Sequence, residues 1–83
     1  MKVRILYFAA LRESLGIASE DFQLPDGVGD VAGVRACLAS RGGHWEKLSA
    51  RSVKAAVNQA MASGESAVRP GDEVAFFPPV TGG

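Results

Sequence analysis

The C-terminal residues of the chain combine unusual types with an unusual order. The sequence ends in FFPPVTGG, residues 76–83. Two prolines cannot donate to a strand ladder, so we expect residues 79–83 to leave the folded body as an extended tail. Five residues reach roughly 17 Å when extended. Because glycine has no side chain, Gly82 and Gly83 can enter a channel too narrow for other residues.

The reactive group at this end is the α-carboxylate of Gly83. A carboxylate is a poor electrophile, but its mixed anhydride with AMP has a carbonyl that a nucleophile can attack. The pattern therefore predicts a chain that delivers its own C-terminus into another protein's active site. The alternative is chance, since two terminal glycines are expected in roughly 0.5% of chains of average composition. The end would then be an ordinary frayed terminus.

Length and composition predict one small globular domain. The chain has 83 residues, of which 47% are apolar and 22% charged. We expect a single domain over residues 1–83, with residues 79–83 as a tail within it. Lys and Arg together number 9, as do Asp and Glu, so the net charge is zero. Without a basic cluster in the sequence, we expect no nucleic-acid partner.

The single cysteine, Cys37, bears on location and on metal binding. It cannot form an internal disulfide, and it has no neighbours at metal-ligand spacing, so we expect no metal site and a reducing, cytoplasmic setting. The first residues, MKVRILYFAALRES, share the basic and apolar order of a signal peptide, but we interpret them as a first strand. We expect no membrane span, because no apolar stretch is long enough.

Local patterns place the elements that must position the tail. Residues 2–8 and 72–78 are predicted strands, each apolar on both faces, and residues 18–24 a predicted edge strand. A short helical turn is expected between the first two strands, ending at Gly16. Residues 31–41 form the principal helix, with Asp30 as its N-cap and Gly42-Gly43 as its end. Residues 52–62 are interpreted as one strand, with a helix as the alternative.

The resulting order, strand, strand, helix, strand, strand, predicts an α+β domain. We expect the first two strands to form a hairpin, and the first and last strands to lie side by side at the centre. A mixed sheet of four to five strands with one principal helix is the β-grasp, or ubiquitin-like, fold. A ferredoxin-like sheet is the alternative, but that fold needs two full helices.

Three segments of the sequence resemble one family. The ending GDEVAFFPPVTGG (residues 71–83), with YFAALRE (7–13) and AAVNQ (55–59), is similar to the small, sulfur-carrier subunit of molybdopterin synthase, the MoaD family. The similarity covers essentially the whole chain and is weakest over residues 39–52. The resemblance implies a sulfur carrier of molybdenum cofactor biosynthesis.

The resemblance also implies a chemical cycle. An activating enzyme would use ATP and magnesium to adenylate Gly83, and a sulfur donor would convert the adenylate to a thiocarboxylate. The carrier would then dock on the large synthase subunit and donate sulfur to a cyclic pyranopterin phosphate. Members of the family form a heterotetramer of two small and two large subunits. On this basis the chain would be a non-catalytic donor subunit of a sulfurtransferase complex, with no bound cofactor of its own.

The resemblance assigns roles to residues near the tail. Gly83 would carry the adenylate and the thiocarboxylate. The residues that would insert into the partner are Pro79, Val80, Thr81 and Gly82, and those that would contact it are Phe8, Arg12, Phe77 and Pro78. Two interpretations without a functional role remain open. In one, Phe76 and Phe77 are both core residues; in the other, Arg12 is a solvated surface charge. We interpret Cys37 as a small core residue, and His44 and Trp45 as residues that cap or cover the core.

Other functions share the diglycine ending. A thiamin-type sulfur carrier and a ubiquitin-like protein modifier joined to lysines through Gly83 are the two alternatives of related chemistry. An interaction domain with a chemically idle tail is a third. Deleting Gly82-Gly83 would leave only the last of these functions intact.

Overall fold

The computed structural model describes residues 1–78, so every prediction for Pro79–Gly83 lies outside the described residues. The described residues form five strands, two α-helices and a 3₁₀ helix. Their bounds are β1 Lys2–Tyr7, α1 Ala9–Leu15, β2 Ser19–Gln23, α2 Val31–Ala39, the 3₁₀ helix Gly43–Ser49, β3 Lys54–Val57, β4 Ala60–Ala62 and β5 Glu73–Phe77. The α+β class and the mixed sheet predicted from the sequence are confirmed.

Strand pairing places the first and last strands together, as predicted. The sheet order is β2-β1-β5-β3-β4. Strands β1 and β5 run parallel, with Tyr7 opposite Phe76, whereas the other three neighbouring pairs are antiparallel. The predicted hairpin of the first two strands pairs as expected, and the helical turn predicted between them is α1. That helix ends at Gly16, in the left-handed conformation.

The core lies between the sheet and α2. Alternate residues of β1 and β5 point toward the helix and are almost fully buried. Facing them are three residues of one helical stripe, Val31, Val34 and Leu38. Leu48 of the 3₁₀ helix completes this layer. Of the described side chains, no buried nitrogen or oxygen lacks a hydrogen-bond partner, so burial leaves no polar group uncompensated.

Three expectations for local structure were wrong. Residues 52–62 are not one strand but the hairpin of β3 and β4, which turns through Asn58 and Gln59 at φ of 50° and 71°. Helix α2 ends at Ala39, before the glycines at 42 and 43, which instead lead into the 3₁₀ helix. Cys37 is only partly buried and is not among the core residues.

The N-terminus of α2 yields a stability prediction. The Asp30 carboxylate accepts a 2.7 Å hydrogen bond from the backbone N–H of Gly33, as the predicted N-cap should. Replacing Asp30 with Ala leaves that N–H without its acceptor, so we expect a loss of about 1 kcal/mol. For a domain of this size, the melting temperature should fall by about 4–8 °C. The control is Asp26→Ala, in an exposed turn; an equal fall there would contradict the capping role.

Candidate functional site: the outer sheet face and the base of the tail

The last described residues sit at the centre of the sheet. Phe77 ends β5, with Lys54 of β3 opposite it. On the other side, the backbone N–H of Phe8 donates a 3.1 Å hydrogen bond to the carbonyl of Phe76. Pro78 follows outside the strand and is partly buried. The base of the predicted tail is thus held by strands on both sides.

Consecutive residues on β5 face opposite sides of the sheet. Phe76 is 0% exposed and belongs to the core, whereas Phe77 is only partly buried. On the neighbouring strand Tyr7 is in the core, and Phe8, directly after it, is 45% exposed. The interpretation that both adjacent phenylalanines are core residues is therefore wrong. Phe77 and Phe8 lie on the face away from α2.

Strand register extends this apolar surface across the sheet. The row Leu6, Ala75, Ala56, Met61 consists of residues directly opposite one another on β1, β5, β3 and β4, which places all four on one face. We call this row together with Phe8 and Phe77 the outer patch. Within it, Met61 is 69% exposed. Ala56 and Ala75 are each only 8% exposed, so the open part of the patch is formed by its large side chains, chiefly Met61 and Phe8. Exposed large apolar side chains grouped on one face of a small domain are typical of a protein-binding site.

Met61 was missed in the sequence. Its exposure depends on the β3–β4 hairpin, because the turn at Asn58-Gln59 brings Met61 opposite Ala56. The segment interpreted as one strand gave no reason to place Met61 beside the phenylalanines. A two-residue gap between two short apolar runs was the available signal.

Arg12 lies near the same end of the sheet as the base of the tail. It sits in the last turn of α1, which starts directly after Phe8, and its side chain is exposed. No carboxylate of residues 1–78 approaches it within 4.0 Å, so it forms no ion pair among them. The structure places Arg12 beside the predicted contact residues and leaves its role as a partner contact a prediction.

The helix side of the sheet holds a polar cluster that sequence reasoning missed. Glu20 on β2 accepts a 2.8 Å hydrogen bond from the Tyr7 hydroxyl and two bonds of 2.8 Å from the Arg41 guanidinium. That guanidinium lies 4.3 Å from the ring centroid of Trp45, whose ring meets Tyr7 edge-on at 5.4 Å. Trp45 thus covers the core as predicted, whereas His44 is exposed and does not.

The same contacts shift the ionisation of the cluster. Hydrogen bonding from Arg41 holds the pKa of the Glu20 carboxyl below its usual value, and the same bond raises the pKa of Arg41. Burial, followed by the hydrogen bond to Glu20, raises the pKa of the Tyr7 hydroxyl far above its usual value. All three groups therefore keep one charge state at neutral pH, which suits a structural clamp and not proton transfer.

A cleft lies on the helix side of the sheet, and one of its lining residues, Arg35, hydrogen-bonds to backbone carbonyls. Its lining is Ala32, Arg35, Ala36, Ser49, Arg51 and Gly64. From Nη1, Arg35 donates to the carbonyls of Leu48, Ala50 and Val53 at 3.0, 3.2 and 2.8 Å. Burial lowers the pKa of this guanidinium. Arg35 therefore fixes the segment that leads into β3.

Residues 1–78 show no cluster that could hold a metal ion, and no helix among them is long and apolar enough to cross a membrane. A five-stranded mixed sheet crossed by one helix, with an apolar outer face that runs to the base of a diglycine tail, defines the ubiquitin-like β-grasp class.

Comparison with known proteins narrows the class to a family. The model of the ThiS family matches residues 5–83. The chain belongs to this family. It is 43% identical over 82 residues to the molybdopterin synthase sulfur carrier subunit of Haemophilus influenzae, with 98% of this chain and 99% of the relative covered. The Escherichia coli protein of the same name is 37% identical over the same shares. The resemblance inferred from the sequence is confirmed.

A solved structure supports the fold assignment. The crystal structure of SAMP1 from Haloferax volcanii superposes with a TM-score of 0.83 at 26% identity, covering all of both chains. The β-grasp prediction is thereby confirmed. The chain is thus similar both to SAMP1 and to sulfur carrier subunits of molybdopterin synthase. The fold by itself therefore does not distinguish a sulfur carrier from other members of the class.

The opposite directions of Phe76 and Phe77 give a second prediction. Phe76→Ala empties a fully buried position and should cost about 3–5 kcal/mol of unfolding free energy. Phe77→Ala removes a ring from the partly exposed outer patch and should cost about 1 kcal/mol, close to the average substitution. Urea denaturation followed by circular dichroism measures both. Equal losses of unfolding free energy in the two variants would show that Phe77 is a core residue and not part of the outer patch.

The polar cluster predicts a specific pH dependence. Because the folded pKa of Glu20 is below its ordinary value of 4.5, its contribution to stability is complete above pH 4.5 and is lost as the pH falls through the folded value. Glu20→Gln should lower stability at pH 7 and reduce the loss of stability on acidification below pH 4.5. Melting temperatures across that range measure it. The matched control is Glu65→Gln on an exposed turn; an unchanged acid slope in the Glu20 variant would contradict the clamp.

Proposed function

We propose that this chain is the sulfur carrier of molybdopterin synthase. The observation that carries the proposal is the similarity to two proteins with that name over 98% of the chain, together with a ThiS family match that extends through residue 83. The described geometry is consistent with it, because an open apolar surface lies directly beside the base of the tail. A carrier must be held by its body while its terminus reacts elsewhere, and the outer patch offers that hold.

The proposed cycle begins with activation. A carboxylate oxygen of Gly83 attacks the α-phosphorus of ATP, with magnesium, in an activating enzyme, and pyrophosphate leaves. A sulfur donor at the oxidation level of hydrosulfide then attacks the acyl carbonyl and AMP departs. The product is a C-terminal thiocarboxylate, an ionised sulfur nucleophile on a tethered group.

Delivery follows in the large synthase subunit. The tail residues 79–82 enter its pocket, and the thiocarboxylate sulfur attacks a side-chain carbon of the cyclic pyranopterin phosphate. The carbon–oxygen bond at that carbon breaks, so the oxygen leaves with the ring-opened phosphate in one transfer and as water in the other. Hydrolysis of the resulting thioester leaves sulfur on the pterin and returns the Gly83 carboxylate. Two carriers are consumed per dithiolene. Docking replaces a bimolecular encounter of free sulfide with an oriented reaction, which is the main benefit that a carrier provides.

Within this cycle the body of the chain contributes recognition. The outer patch, with Phe8 and Phe77 at its tail end and Pro78 beyond, contacts the large subunit and the activating enzyme, and Arg12 borders it. General acids, bases and the pterin pocket belong to the large subunit, and no cofactor is held by the carrier. We propose a heterotetramer of two carriers and two large subunits, operating in the cytoplasm.

A ubiquitin-like modifier is the second candidate, because the chain superposes closely on SAMP1, whose full name is small archaeal modifier protein 1. The two functions share adenylation of Gly83 and differ in the nucleophile that follows. A modifier ends as an amide on a lysine of another protein, whereas a carrier returns as a free carboxylate. A thiamin-type carrier would share the thiocarboxylate and differ in the acceptor; the names of the two curated relatives favour the molybdopterin pathway.

Intact mass spectrometry tests the chemistry. After incubation with ATP, magnesium, a cognate activating enzyme and a sulfur donor, we expect a gain that corresponds to one oxygen exchanged for sulfur. Deleting Gly83 should abolish the gain. The control Cys37→Ser should retain it, because Cys37 is the other site where sulfur could be carried.

Two results would contradict the proposal. Loss of the mass gain in a folded Cys37→Ser variant would assign the sulfur to that thiol and not to Gly83. No gain in the wild-type chain, with an activating enzyme shown to be active on its own carrier, would leave the terminus chemically idle and favour an interaction domain.

A further inference from the structure

The end of the molecule from which the tail leaves carries a group of basic side chains. Lys54 stands directly opposite Phe77, the last strand residue before Pro78. Arg51 lies three residues before Lys54 in the chain. Lys47, on the 3₁₀ helix, reaches α1 through a 3.1 Å hydrogen bond to Ser14. All three cations are exposed. We call Lys47, Arg51 and Lys54 the basic collar.

The collar is free of ion pairs within the described part of the chain. Over residues 1–78 the ion pairs are Arg4 with Asp21, at 3.6 Å, and Arg41 with Glu20, at 2.8 Å. Both carboxylates are on β2, at the far edge of the sheet from β3. No carboxylate of these residues lies within 4.0 Å of a collar cation. The collar charges are therefore available to a partner.

Charge is unevenly distributed between segments of the neutral chain. Residues 9–16 and 43–54, the segments that contain α1, the 3₁₀ helix and the start of β3, contain four basic and two acidic side chains, a net charge of +2. The remaining residues contain five basic and seven acidic side chains, a net charge of −2. The excess of basic side chains thus lies in the segments that hold the collar.

The length of the tail determines which groups of a partner the collar charges can interact with. Five residues separate Pro78 from the terminal carboxylate by as much as roughly 17 Å. Charges in solvent are screened beyond about 8 Å at physiological ionic strength. The collar therefore interacts with groups around the entrance of a pocket, whereas the reacting atoms at its bottom lie beyond its reach. Charge complementarity then requires carboxylates at that entrance.

Two kinds of partner would receive the tail, and their demands differ. The large subunit keeps the carrier in an assembled complex, for which the outer patch supplies apolar area. The activating enzyme must capture the carrier and release it in every cycle, and long-range charge raises the rate of such an encounter without lengthening the complex's life.

We propose that the basic collar docks against an acidic rim around the entrance of the activating enzyme's pocket and steers the tail into it. This inference rests on the proposed function, because it requires that the tail be activated by a second protein. Lys54 lies on the outer face beside Phe77, so the collar adjoins the outer patch there and adds a charge-dependent role to the apolar contact that the patch makes. The patch holds the body in place, and the collar sets the rate and the direction of approach.

The test compares two charge reversals of equal size. Arg51→Glu with Lys54→Glu reverses the collar, and Lys2→Glu with Arg69→Glu makes the same change in net charge at the opposite end. Stopped-flow mixing with the activating enzyme, at low and high salt, gives association and dissociation rates. We expect the collar variant to associate about tenfold more slowly at low salt, with the difference lost near 0.5 M salt. Its dissociation rate should change by about twofold or less.

The control pair keeps the result interpretable. The Lys2 and Arg69 variant should associate at nearly the wild-type rate, and circular dichroism should show both variants folded. The milder pair Arg51→Gln with Lys54→Gln should give an intermediate rate if the reversal perturbs the fold. In steady-state adenylation, we expect a higher KM for the collar variant with kcat unchanged.

Three outcomes would overturn the inference. Equal slowing by both pairs would show a response to net charge alone, and no slowing by either would show that approach does not depend on charge. Slowing confined to association with the large subunit would assign the collar to the other partner. A wild-type chain that the activating enzyme neither binds nor adenylates would instead refute the proposed function, a result distinguishable from all three.

Discussion

The parallel pairing of β1 with β5 is the constraint on which the rest of the structure depends. It joins the two ends of the chain at the middle of the sheet, with the carboxyl ends of both strands at the same edge. The hydrogen bond from Phe8 to the Phe76 carbonyl is the last contact of this pairing. Because β3 flanks β5 on its other side, the residue that leads into the tail is fixed from both directions. Under the proposed function, this rigid base positions the terminus for delivery to a partner.

The same pairing distributes side chains between two tasks. On the helix side, Val3, Ile5 and Tyr7 of β1 and Val74 and Phe76 of β5 form the centre of the core. On the other side, Leu6 and Phe8, with Ala75 and Phe77, contribute to the outer patch. The polar clamp of Tyr7, Glu20 and Arg41 holds Trp45 over the core edge, so no further layer is needed there. One face can thus remain open to partners while the fold is stabilised entirely from the other.

Much of this arrangement could be predicted from the sequence, and the failures have physical reasons. The two central strands were identified because residues 2–8 and 72–78 carry apolar side chains on both faces, a pattern typical of strands with a neighbour on each side. The β3–β4 hairpin was missed because Asn58-Gln59 lacks the glycine that usually marks a two-residue turn, although both residues adopt positive φ. The Cys37 interpretation failed on helix geometry. At 100° per residue, position 37 lies roughly 90° from the mean direction of Val31, Val34 and Leu38.

The candidate site shows where sequence reasoning stops. The tail chemistry follows from residue types alone, since two glycines and a carboxylate require no fold to be interpreted. The outer patch depends on register, which brings Met61 beside Ala56 from a separate strand. The basic collar depends on topology, because Lys54 comes to lie beside Phe77 only when β3 pairs with β5. Properties that arise from pairing across the sheet could not be assigned before the pairing was known.

Under the proposed function, Gly83 gives up its sulfur to a small molecule and is recovered as a free carboxylate. A single turnover tests this directly: thiocarboxylated chain is mixed with the large subunit and cyclic pyranopterin phosphate, followed by intact mass and product analysis. We expect the chain to revert to the carboxylate mass, with two carriers consumed for each dithiolene formed. A chain that keeps its sulfur beside an active large subunit, or that is recovered as an amide on protein lysines, would contradict it.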